Sequence, residues 1–300
     1  MAKLATSNNA LGVLIALGAG ATLASVTSIA RYAYDRGTEP FALIGARMLI
    51  ALVLVVGIEW WRNGDLHMPA VGRRWIVLGG VSLSLIGLCY LSSVQFISPA
   101  LAVAILYLFP VIVLIVESLQ ARHWPKPAVA LAFAAALAGI VVCVGVNWSV
   151  SSPLGIVLAL VASCAAAGLV ISSSHAYALG AQRNFLAWCN LIAGGVVFLV
   201  ILLSPYDFAE LYGSAIQGSV YVVAAALFYA VGITLSIVAL KYTSGTLASL
   251  ALNIEPPMTM LIAWWLLGDR LSNVQYWGML LAVIAISWGT WALQNQHKDN

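Results

Sequence analysis

Residues 244–268 read SGTLASLALNIEPPMTMLIAWWLLG. The apolar run from Thr246 to Leu267 is long enough to cross the hydrocarbon core of a bilayer, yet Glu255, Pro256 and Pro257 stand at its midpoint. A charge at that depth costs about 2.5 kcal/mol or more, and each proline removes a backbone donor and crowds the preceding turn. Such a helix is expected to be kinked and turned inward. Irregular backbone and ionisable groups persist in a membrane only where other helices or a water-filled cavity cover them. The stretch is the first pointer to a transport path.

The rest of the chain has the same character. Its 300 residues are 63% hydrophobic and 8% charged, with a mean hydropathy of +1.01, which excludes an ordinary soluble domain. The formal charge of +3 is scattered over loops rather than gathered in a stripe, so no nucleic-acid partner is expected. Cys89, Cys143, Cys164 and Cys189 fall in apolar runs without CxxC spacing and read as small packing residues; no metal and no cofactor is expected. There is no GxxxxGK loop, HExxH, GxSxG or carboxylate pair in the spans. An enzyme therefore lacks its parts, and transport would be secondary.

Ten apolar segments can be counted: 10–32, 41–60, 75–96, 99–119, 128–146, 154–179, 185–203, 219–240, 246–267 and 276–293. The expected fold is an all-α membrane protein of ten transmembrane helices. With the N-terminus inside, the cytoplasmic side collects Lys3, Arg62, Arg73, Arg74, Arg122, Lys126, Arg183, Lys241 and Lys298, and the far side only Arg31, Arg36 and Arg270. That asymmetry predicts an inner (plasma) membrane protein with both termini cytoplasmic. Asp207 and Glu210, in a loop without a base, agree with an outer position. Trp60, Trp61, Trp75 and Trp124 would mark one interface and Trp148, Trp264 and Trp265 the other. Small residues at every fourth position, Ala135, Gly139 and Cys143, then Gly155, Ala159, Ser163 and Ala167, allow close helix packing, within a monomer or along the seam of a weak homodimer.

Sliding the chain on itself by 146 residues lays Ser98–Pro110 on Ser244–Pro256, with Ser98/Ser244, Leu101/Leu247, Ala102/Ala248, Leu106/Leu252 and Pro110/Pro256 identical. Two repeats, 1–149 and 150–300, follow. An odd number of spans in each turns the second upside down, the inverted-repeat plan of many secondary transporters. Ten spans in two halves, Arg47 early in the second span, the run Phe96–Pro110, and Glu255-Pro256 followed by Gly268-Asp269 together resemble the EamA-type members of the drug/metabolite transporter superfamily. Within it, the chain is most similar to the YddG-type exporters of aromatic amino acids. The resemblance implies export of small amphipathic metabolites, aromatic amino acids first, by alternating access. The alternatives are a drug or nucleotide-sugar carrier of the same fold, or a non-transporting membrane scaffold.

In an inverted repeat the binding site lies near mid-depth, at the discontinuous helices. Counting from the span ends places Thr22, Ser84, Tyr107, Tyr229, Asn253 and Glu255 there, Arg47 slightly outward, and Tyr90 a turn beyond. The tyrosines offer a ring face and a hydroxyl to an amphipathic substrate. Glu255 can neutralise a substrate ammonium, titrate in proton coupling, or pair with Arg47. Arg47 can instead clamp a substrate carboxylate. Thr22, with Ser25 and Ser28, can equally bond carbonyls of its own helix. His175, Trp188 and Asn190 share a depth nearer the cytoplasm and are candidates for a gate or for coupling, or are hydrogen-bonded interface groups. Pro110, Pro256 and Pro257 mark the helix kinks. The partners expected are an amino acid and the lipid bilayer.

Overall fold

Proline and serine decide where the central helices begin. The computed structural model describes residues 9–34, 37–38, 40–145, 152–203, 218–268 and 270–296, and among these it is built of helices and turns. In order they are α1 (Asn9–Tyr34), α2 (Pro40–Asn63), α3 (Arg73–Ser93), α4 (Pro99–Leu106), α5 (Phe109–Ala121) and α6 (Pro127–Val144). There follow α7 (Pro153–Ala178), α8 (Phe185–Leu203), α9 (Ser219–Ala239), α10 (Gly245–Leu252), α11 (Glu255–Leu267) and α12 (Asn273–Gln296). Pro110 lies in the first turn of α5, and Pro256 and Pro257 in the first turn of α11. There a backbone N–H has no intrahelical acceptor, so the missing donors are tolerated. Where the prolines predict a kink the structure has a break. Tyr107-Leu108 and Asn253-Ile254 are non-helical. Tight i→i+3 bonds span both: Leu108 N–H donates to Ile105 at 3.1 Å, and Asn253 and Ile254 N–H donate to Leu250 and Ala251, each at 3.1 Å.

The 146-residue offset holds at the level of helix ends: added to the bounds of α3, α4 and α5, it gives those of α9, α10 and α11 to the residue. The Ser98/Ser244 identity has a physical cause. Each serine is an N-cap, accepting from Leu101 N–H at 3.3 Å and Leu247 N–H at 3.2 Å respectively. Arg122 and Gly268, paired by the same offset, both end their helices in the left-handed region, at φ 56° and 70°. Glycine adopts it freely, whereas arginine does so at a cost of about 1–2 kcal/mol.

The two repeats interleave in space. α1 packs along α9 and α3 along α7, each pair joining the repeats and each the image of the other; α6 packs along α12. Small residues set these distances. Leu23 occupies the space a side chain at Gly232 would need, and Ser82 that at Gly168. At the α6–α12 crossing a Cβ on Gly139 would stand 2.5 Å from the Ala282 nitrogen, and one on Gly278 would strike the backbone of Val142 and Cys143. The small-residue spacing of α6 is thus used within the chain. Because backbone cannot yield as a side-chain end can, Gly278→Ala is expected to cost roughly 1–3 kcal/mol. The readout is a lowered melting temperature in detergent. Gly195→Ala, whose Cβ would meet nothing within 4 Å, is the neutral control.

Among the described residues, six segments are long and apolar enough to cross a membrane: Asn9–Ala30, Pro99–Ala121, Pro127–Val144, Pro153–Ala178, Ser219–Ala239 and Asn273–Gln294. The outward faces carry large apolar side chains such as Leu131, Phe198, Val231 and Ile284, a surface that lipid rather than water would cover. Trp60, Trp61, Trp124, Trp264 and Trp265 are exposed, as an aromatic belt requires. Trp75 is partly buried, its ring stacked on His175 with centroids 4.3 Å apart. Lys3, Arg36, Trp148, Asp207, Glu210, Asp269 and Lys298 lie outside the described residues.

Candidate functional site

The two breaks meet. By the 146-residue offset Tyr107 corresponds to Asn253 and Phe109 to Glu255, so the same two positions carry two aromatics in the first repeat and two polar groups in the second. α5 and α11 begin at the breaks, directing the positive ends of their dipoles there. Glu255 is the first residue of α11, where a carboxylate is favoured. Its partner comes from the other break: the hydroxyl of the buried Tyr107 lies within hydrogen-bonding reach of the Glu255 carboxyl. Tyr90, on α3, is close enough to Tyr107 to interact with it electrostatically.

Arg47 reaches the same region from α2. Its guanidinium carbon stands 4.5 Å from the centroid of the Tyr229 ring on α9, a cation–π contact worth about 0.5–2 kcal/mol. The Arg47 charge acts on Glu255, yet among the described residues no direct ion pair joins the two. The buried Nε of Arg47 has no hydrogen-bond partner in the protein, nor has Oδ1 of Asn253, a residue only 3% exposed. The site therefore holds a carboxyl group and, beside it, a guanidinium Nε and an amide oxygen whose bonding capacity is not exhausted by the protein. α1 seats the second break closely. A Cβ on Gly20 would stand 2.6 Å from Ile254 Cγ2 and 3.2 Å from the Leu252 carbonyl oxygen.

The other sequence candidates are engaged elsewhere. Thr22 Oγ1 donates to the Gly18 carbonyl at 2.7 Å and Ser84 Oγ to the Val81 carbonyl at 2.8 Å, both within their own helices. Ser25 and Ser28 do the same with Ala21 and Ala24. His175 Nδ1 donates to the Ile171 carbonyl at 2.8 Å beneath the Trp75 ring. Trp188 Nε1 donates to the Leu66 carbonyl at 2.9 Å, and Asn190 Nδ2 to the Leu186 carbonyl at 2.9 Å. Among the described residues no hydrogen bond or ring stack joins His175 to Trp188 or Asn190.

A polar hub that the sequence candidates do not include ties the α2–α3 loop to the start of α8. Asn184, fully buried and at φ 58°, donates through Nδ2 to the carbonyls of Asp65 and His67, each at 3.1 Å, and accepts from Asn63 Nδ2 at 2.8 Å. The His67 backbone N–H, against some loss of hydration and with help from Arg183, holds the Asp65 carboxyl below its ordinary range. The Arg183–Asp65 ion pair, 2.8 Å long and half exposed, adds little by itself. The sequence offers one retrospective signal: asparagine tolerates the left-handed conformation that this turn requires.

Comparison with known proteins follows the repeat. The profile of the EamA-like transporter family matches twice, over residues 10–145 and 153–290. No curated protein matches the chain. A solved structure titled "Crystal structure of protein" superposes with a TM-score of 0.69 over 95% of this chain and 98% of its own, at 20% identity, a likeness of fold.

Proposed function

We propose that this chain, which belongs to the EamA-like transporter family, is a secondary carrier exporting zwitterionic amphipathic metabolites, aromatic amino acids first among them. In this reading the chain crosses the inner membrane ten times, with both termini cytoplasmic. The observation that carries it is the separation of an acidic and a basic group within one site. Glu255 lies beside the Tyr107 hydroxyl at the positive end of α11, Arg47 lies on the Tyr229 ring, and neither neutralises the other by direct contact.

An α-amino acid supplies what both lack. Its carboxylate suits the guanidinium fork, its ammonium suits Glu255, and an aromatic side chain finds ring faces in Tyr90, Tyr107 and Tyr229. A phosphorylated cargo fits less well, because Arg47 is the basic residue set deepest in a helix, and one guanidinium does not offset the desolvation of a phosphate. Broken helices on both sides of the site let its two ends move independently, which is what alternating access asks of them.

The test is uptake of labelled phenylalanine into liposomes holding the purified protein, with unlabelled tryptophan or a nucleotide sugar as competitor. The expected result is downhill uptake blocked by tryptophan and not by the nucleotide sugar. Absence of uptake by folded protein would remove the substrate assignment.

A further inference from the structure

α10 is more enclosed than its image. All of its residues, Gly245 to Leu252, are buried, whereas α4 buries only Leu101, Ala102 and Ala104. The difference has a definite source. α4 packs on α6 and α7, and α10 on their counterparts α12 and α1; α10 additionally packs on α5 and on α7, while α4 and α11 share no substantial contact. The α5–α10 contact is polar at its end. Glu117 Oε2 accepts from the Thr246 backbone N–H at 3.1 Å and also from the Thr246 hydroxyl. The other Glu117 oxygen lies over Gly245, where any Cβ would collide with it, and the buried, unpartnered Oγ of Ser174 flanks the same position from α7.

A carboxylate placed on the first N–H groups of a helix satisfies orphan donors and meets the positive end of the dipole. By the repeat offset Glu117 corresponds to Ala263, Gly245 to Pro99 and Thr246 to Ala100, so the image end has no side chain able to form this bond.

We propose that Glu117 is the latch of a gate: by capping α10 it holds α5 against α10 and closes the path to the breaks on the side from which α10 enters. The proposal rests on the carrier reading above, in which that side is the cytoplasm. Opening toward it requires both Glu117 bonds to break together. The image positions Ala263, Pro99 and Ala100 carry no equivalent lock, so the latch biases the resting carrier toward opening outward.

Accessibility of a single cysteine tests this without any need for flux. In a chain with Cys89, Cys143, Cys164 and Cys189 replaced by alanine, Tyr229→Cys reports on the partly buried centre of the site, probed with a membrane-impermeant maleimide from each side of oriented vesicles. Glu117→Ala is expected to raise the labelling rate from the α10 side about ten-fold or more. Gly245→Ala, whose methyl displaces the carboxylate, should act in the same direction. Glu117→Gln keeps an acceptor but loses the charge; it should give a smaller rise and serves if the alanine variant fails to fold. Unchanged labelling from that side in folded variants overturns the latch. Uptake is measured separately in chains retaining Tyr229: wild-type protein that transports nothing overturns the carrier reading, whatever the labelling does, and active carriers with unchanged labelling overturn the latch alone.

Discussion

Arg47→Gln is expected to lower phenylalanine flux a hundred-fold or more while leaving the protein folded. The guanidinium touches the protein through the Tyr229 ring, keeps an unpartnered Nε, and makes no direct ion pair with Glu255 among the described residues. Its loss removes about 0.5–2 kcal/mol of cation–π contact from the fold, together with the action of its charge on Glu255. The loss to a bound carboxylate is larger, because truncating one partner of a desolvated, hydrogen-bonded charge pair costs about 2–5 kcal/mol. Arg47→Lys should recover only part of the flux, since an ammonium lacks the planar fork and stacks less well on a ring. The decisive comparison uses phenethylamine, which lacks the carboxylate. Wild-type carrier should discriminate strongly against it, and Arg47→Gln should treat it and phenylalanine alike. A variant that loses melting temperature in proportion to flux would instead make Arg47 a structural residue.

How much of this was legible beforehand differs between backbone and packing. Pro110, Pro256 and Pro257 point to the breaks because proline has a fixed backbone angle and no donor, consequences that any environment must accommodate. The repeat is equally legible, since Ser98 and Ser244 recur for a local reason, the cap each supplies. Interleaving is not. A membrane helix is apolar on nearly every side, so α1 carries no stripe telling that it packs on α9 rather than on its neighbour α2. The Gly139–Gly278 crossing is visible in half: the small residues of α6 promise a close partner, and only the structure shows that the partner is α12.

The site divides along a similar line. Depth follows from counting residues, and it places Tyr107, Tyr229, Asn253 and Glu255 at one level and Arg47 slightly outward. Direction does not follow from counting. Thr22 and Ser84 sit at the right depth, yet their hydroxyls turn back on their own helices, an option open to any serine or threonine in a helix. That Trp75 stacks on His175 likewise cannot be counted from the sequence. Glu117 has no mark in the sequence except a missing one: a carboxylate whose image in the other repeat is alanine. Departures from the repeat, Glu255 against Phe109 and Glu117 against Ala263, coincide with the polar contacts that distinguish the two halves.

Glu255→Gln is the second large expected effect, and it reads the other end of the substrate. Glutamine keeps the shape at the start of α11 and forfeits only about 0.3–1 kcal/mol of dipole interaction, so the fold should survive. Phenylalanine flux should fall a hundred-fold or more, because the ammonium loses its counter-charge in a site where little water replaces it. Discrimination against 3-phenylpropionate, which lacks the ammonium, should vanish in the variant. Tyr107→Phe removes the hydroxyl beside the carboxyl and should cost nearer ten-fold. The double variant Arg47→Gln/Glu255→Gln separates the two accounts of these charges. If they mainly balance each other, removing both relieves the charge that either single variant strands in an apolar interior, and the double variant is healthier than the singles. If each holds one end of the same zwitterion, the double variant regains nothing, and it accepts phenethylamine and 3-phenylpropionate as readily as phenylalanine.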